Sequence, residues 1–86
     1  MSDTLKHAQN ALPEYSDSIC RIYSDDDEFR LLCQDYVDTL HAIKTWQQSD
    51  KTEAPMRVNE YQSLAGELRE DMKRWIKKVK ANKSPQ

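Results

Sequence analysis

The chain has 86 residues, 33% of them charged and only one of them glycine, with a formal net charge of -2. That length allows one small domain, and folding at this size buries only about 60–65% of the surface of the unfolded chain. A single glycine cannot supply phosphate-cradling loops, tight β-hairpins or the turns of an all-β fold. The abundance of Leu, Glu, Asp, Lys, Arg, Gln and Ala, mostly helix formers, predicts a soluble all-α domain spanning residues 1–86.

In chain order, the first segment carries Leu5, Ala8, Leu12, Tyr15, Ile19 and Ile22 at alternating spacings of three and four. Pro13 interrupts this row, because proline disfavours the α conformation at Leu12. A short helix is therefore expected over Pro13–Tyr23, with residues 1–11 weakly ordered or weakly helical. Ser24-Asp25-Asp26-Asp27-Glu28 follows. Its heptad phase is unbroken, with Asp26 at a seam position, so one long helix is conceivable. Adjacent acids repel in mid-helix, however, and are favoured at the positive end of a new helix. The preferred reading is a break, with Ser24 or Asp25 as N-cap and Asp27 or Glu28 completing a capping box.

The central segment places Phe29, Cys33, Tyr36, Leu40, Ile43 and Gln47 in a heptad seam, and the last places Val58, Tyr61, Ala65, Leu68, Met72, Trp75 and Val79 in another. Helices are predicted over Asp26–Gln48 and Ala54–Ala81, roughly 34 and 42 Å long. Pro55 suits a helix start. The short polar link Ser49–Glu53 predicts that the two long helices pack as an antiparallel hairpin. Residues 82–86 form a polar tail expected to be weakly ordered.

Both stripes are wider than a two-stranded seam requires, since Leu32, Val37 and Trp46 flank one row and Leu64 and Ile76 the other. They can bury against the first helix as a third member of a bundle, or against a second chain in a four-helix or larger bundle. Leu32, Tyr36, Val37, Trp46, Leu64 and Ile76 are the candidate interaction face.

Charge is unevenly spread. Residues 1–50 are net -6 and residues 51–86 net +4. Arg69, Lys73, Arg74, Lys77, Lys78 and Lys80 surround Trp75 and form an alternative, basic face for nucleic acid or an anionic membrane surface. The simpler expectation is charge matching, because antiparallel pairing sets the basic end of the last helix beside the acidic start of the central one. The overall charge does not point to nucleic acid as partner.

No catalytic, metal or cofactor site is expected. The cluster Asp25–Glu28 lacks the spacing of a calcium loop. Cys20, Cys33, His7 and His41 lack the paired short spacing of structural zinc ligands. No P-loop, dinucleotide fingerprint, nucleophile elbow or zincin motif occurs. No run of about 18 apolar residues spans a membrane, residues Met1–Asn10 lack the apolar stretch of a secretory signal, and two cysteines are too few for a disulfide framework. A cytoplasmic location follows as the expectation.

Leu12-Pro13-Glu14-Tyr15-Ser16-Asp17-Ser18-Ile19, then Asp26-Asp27-Glu28-Phe29, then Tyr36, Leu40 and Ile43 resemble the pattern of YdcH-like proteins, short bacterial helical-hairpin proteins of unknown function. The likeness covers about a third of the chain. It implies bacterial origin, helices and a cytosolic setting, and it carries over no functional residue. This chain departs from the pattern on its C-terminal side, with two tryptophans and a long last helix. The function that the residues favour is a non-catalytic protein interaction module, pairing with a second copy or another helical protein. Gly66 falls inside the last helix beside Ala65, either as a tolerated residue or as a point of close approach by another helix.

Overall fold

The computed structural model describes residues Asp3–Asn82, with side chains through Ala81. Those residues form four α-helices, a 3-10 turn and no strand: α1 (Asp3–Ala11), the turn Pro13–Tyr15, α2 (Ser16–Asp25), α3 (Asp27–Gln47) and α4 (Ala54–Asn82). The fold is all-α. The two long helices lie within a residue of their predicted ends.

Residues 3–11, expected to be weakly ordered or weakly helical, form a regular helix. Thr4 and Ala8 are buried on one side of it. Pro13 does not dissolve the segment but turns it. Leu12 leaves the helical region at φ -134° and ψ 68°, and its own side chain is buried at the bend. The amide of Leu12 still donates to the Ala8 carbonyl, and Tyr15 N–H donates to Leu12 at 2.9 Å. The Gln9 side chain donates to the Ser16 carbonyl, tying α1 to the start of α2. The apolar row from Leu5 to Ile22 is thereby split between two helices that pack on each other and on α3.

The acidic cluster breaks the helix, as preferred, but the cap is Asp26 rather than Ser24 or Asp25. Asp26 is extended, at φ -128° and ψ 111°. Its Oδ1 accepts from Glu28 N–H at 2.9 Å and Phe29 N–H at 3.1 Å. A carboxylate at a seam position would have to be buried without a partner in a continuous helix. As a cap it satisfies two amides that have no partner within the helix. Arg30 completes the junction from the other side. Its guanidinium donates to the Tyr23 carbonyl at 2.6 Å and to the Ser24 carbonyl at 3.3 Å, at the end of α2, and it pairs with Asp27.

The most extensive helix contact is between α3 and α4. The beginning of α3 meets the last third of α4, where the Phe29 and Trp75 rings lie 6.0 Å apart. Burial along this pair is unequal. Fully buried Phe29, Cys33, Met72 and Ile76 gather with Ala8, Leu12, Ile19 and Ile22 at the end covered by α1 and α2. Toward the link at 48–53, Leu40, Ile43, Trp46, Val58 and Tyr61 are only partly buried. The molecule is long, 56 × 24 × 21 Å. Its radius of gyration of 14.7 Å exceeds the roughly 12 Å of a compact domain of this length.

Two outcomes follow. Asp26→Ala removes the α3 cap and is expected to cost about 1 kcal/mol in chemical denaturation. Gly66 is helical and nothing lies within 4 Å of where its Cβ would be, so none of the described residues makes a close approach there. Gly66→Ala is expected to stabilise the fold by about 0.5–1 kcal/mol, read as a higher denaturation midpoint.

Candidate interaction surface

The six apolar residues proposed as an interaction face separate into two groups. Tyr36, Val37 and Ile76 are buried in the core of the single chain. They cannot be part of an uncovered face, because α1 and α2 close over that end of the α3–α4 pair. Leu32 and Trp46 are half-buried and Leu64 is 39% exposed.

These three share a side of the molecule. Leu32 lines an open cleft of about 630 Å³ with Asp71, Arg74, Trp75, Lys78, Val79 and Asp26. Helical repetition carries the same side along both helices. Residues 32, 39 and 46 are one heptad apart on α3, as are 64, 71 and 78 and also 61, 68 and 75 on α4. The cleft is therefore the head of a strip that continues through Leu68, Leu64 and Tyr61 on α4; on α3 it is interrupted at Thr39, which is buried, and resumes at Trp46. Met56, 58% exposed, adds to the apolar surface near the link. Leu68 and Tyr61 are half-buried.

The basic residues do not form one unpaired positive face. Lys73 pairs with Glu70 at 3.4 Å and Arg74 with Asp71, each three residues apart on α4. The Lys80 ammonium lies 5.6 Å from the centre of the Tyr15 ring. Arg69, Lys77 and Lys78 are exposed. The charge matching expected between α3 and α4 is not made through the ion pairs described, since Arg30–Asp27 and Arg57–Glu60 also join residues three apart on one helix. Such exposed pairs contribute at most about 1 kcal/mol each.

Both cysteines are free thiols, Cys20 exposed and Cys33 buried. Removal from water pushes the Cys33 thiol from its ordinary 9.0 up to about 12, which makes it a small apolar filler rather than a nucleophile. Among the described residues no group of three or more His, Cys, Asp or Glu side chains is placed to hold a metal ion. No helix among them is long and apolar enough to cross a membrane. No protein-family model, curated protein or solved structure matches the chain.

The sulfur positions carry a pH dependence. Above pH 9 the unfolded Cys33 thiol ionises while the folded one stays protonated, so Cys33 withdraws stability as pH rises from 9 toward 12. The stability lost in Cys33→Ala is therefore expected to be smaller at pH 10.5 than at pH 7. At neutral pH a thiol reagent should modify Cys20 at once and Cys33 only on unfolding.

Proposed function

We propose that this protein is a non-catalytic interaction module, built on an antiparallel hairpin of α3 and α4, that self-associates through the hairpin face carrying Leu32, Trp46 and Leu64. The observation that carries this reading is the unequal burial of the hairpin. Its apolar stripe runs the whole length of both helices, but α1 and α2 cover only one end. The short link and the contact of Phe29 with Trp75 support the antiparallel arrangement.

The chain exposes 6096 Å², more than the roughly 5300 Å² of a compact monomer of its mass, as its elongated shape requires. A second copy offers the same uncovered apolar stripe to pack against. Two hairpins laid face to face would form a four-helix core and shield Trp46 and Leu64. The free thiols suit a reducing compartment, in keeping with a cytoplasmic setting.

Sedimentation and light scattering test the proposal. The expected result is a concentration-dependent dimer or larger assembly, with Trp46 fluorescence shifting to the blue as it forms. Leu64→Glu should yield a folded monomer, whereas Ile76→Ala should lower stability by about 2–5 kcal/mol. A chain that stays strictly monomeric at millimolar concentration overturns self-association. Binding of duplex DNA or anionic vesicles that weakens steeply with salt would instead favour the basic residues Arg69, Lys77 and Lys78.

A further inference from the structure

The charges on the uncovered face match those of a second copy turned end for end. Arg57, Leu64, Asp71 and Lys78 stand one heptad apart on α4 and share one line along it. The line reads positive, apolar, negative, positive. Leu64 is midway between Arg57 and Asp71, so a copy turned about an axis through Leu64 exchanges their places. Arg57 of each copy then faces Asp71 of the other, and Leu64 faces Leu64. A two-fold interface has this mutual form, in which each residue of a pair meets the other twice. Without the turn, every charge of the line stands level with its own like. Arg57 now pairs with Glu60 at 3.1 Å and Asp71 with Arg74. Such exposed pairs along one helix are weak and exchange partners at little cost.

The residues of α3 point to the same centre. Leu32 and Trp46 are equally spaced about Thr39. The Phe29 and Trp75 rings meet at 6.0 Å. Ten residues further into the antiparallel hairpin on each helix are Thr39 and Ala65, so Thr39 stands level with Leu64 and its neighbour. One axis crossing both helices there exchanges Leu32 with Trp46 as well as Arg57 with Asp71. Trp46 of each copy comes over the cleft of about 630 Å³ in the other, where Leu32, Trp75 and Val79 supply apolar walls. An indole seats well on such walls. The charged end follows the same rule. Lys78 is fourteen residues beyond Leu64, and α4 begins ten before it. The turn therefore sets Lys78 beside the other copy's link, where Asp50 and Glu53 are exposed.

We propose that a second copy docks end for end on a two-fold axis crossing α4 at Leu64 and α3 at Thr39. Arg57 pairs with Asp71 across the interface, and Trp46 enters the cleft at Leu32 and Trp75, each contact being made twice. The inference rests on the self-association proposed above and adds its orientation, its register and its side-chain partners. It gives the cleft an occupant. The cleft lies at one end of the hairpin and Trp46 near the other, so one chain cannot bring them together, whereas two reversed chains do so at both ends. Because the contacts are mutual, the pair is closed and leaves no unfilled cleft to recruit a third copy. The ion pairs set which way round the copies meet, and the apolar strip supplies the attraction.

The test measures the dissociation constant of the full chain and its variants by sedimentation. Arg57→Asp sets acid against acid in both ion pairs, and Asp71→Arg sets base against base. Each variant alone is expected to raise the dissociation constant at least about tenfold. An equimolar mixture of the two should return to within about threefold of the unaltered chain, because every pair in a mixed dimer again joins opposite charges. A substitution that merely weakens its own helix would not be rescued by mixing. The unaltered chain gives a second readout that needs no variant to fold: its association should weaken as salt rises from about 50 to about 500 mM. A chain that associates indifferently to salt, or whose mixed variants associate no better than either alone, overturns the end-for-end register while self-association stands. A chain that is strictly monomeric overturns both.

Discussion

The Asp26 carboxylate accepts two amide hydrogens at the one place where the chain changes from α2 to α3. Without that change, the apolar row of the first two helices would run straight into the row of the third, as the heptad phase permits. One long rod would result, with nothing to fold back over its seam. The cap makes a bend cheaper than continuation, because mid-helix the same carboxylate would sit at the seam without a partner. Arg30 adds the complementary half by donating to carbonyls at the end of α2. Phe29, three residues after the cap, is then fully buried against Trp75. The packing of α1 and α2 on the long helices follows from this corner and from the second bend at Leu12–Pro13.

A small chain bent twice near its beginning can cover only part of two long helices. Four short stretches of apolar side chain meet at one end, where Ile19, Phe29, Cys33, Met72 and Ile76 lose all contact with water. The other end has two helices and no third. Two packed helices bury the inward rows of each and leave the flanks half-open, which is the condition of Ile43, Trp46, Val58 and Tyr61. The elongated shape, the surplus surface and the proposed pairing with a second copy all derive from that imbalance. The exposed charges play a lesser part, since the ion pairs described lie along single helices and brace them locally.

Much of the helix plan was legible in the sequence. Spacings of three and four set the two long helices, predicted over Asp26–Gln48 and Ala54–Ala81 and found over Asp27–Gln47 and Ala54–Asn82. The break in the acidic cluster was legible from electrostatics, though its capping residue was misplaced by one or two positions, since Ser24, Asp25 and Asp26 are all competent caps. The order of α1 was not legible. A nine-residue amphipathic stretch is marginal alone, and what holds it lies elsewhere in the chain: Ala8 joins the core and Thr4 bonds to Gln34, 30 residues away. Of the six residues proposed as a face, Tyr36, Val37 and Ile76 are buried inside the single chain. Tyr36 belongs to the seam itself, while Val37 and Ile76 flank the seams just as Leu32, Trp46 and Leu64 do, and helical phase cannot say which flank another helix will take.

The sequence by itself determined that this protein is helical, where its long helices run, and that its apolar stripes are too broad for one partner helix. These properties are local, governed by backbone hydrogen bonding, capping and the 3.6-residue repeat. Tertiary structure alone decided which flank α1 and α2 occupy, which thiol lies out of reach of water, and that His7 faces His41 across two helices. Those outcomes depend on how the chain turns at Leu12–Pro13 and Asp26. A turn of a few residues sets the direction of everything packed beyond it.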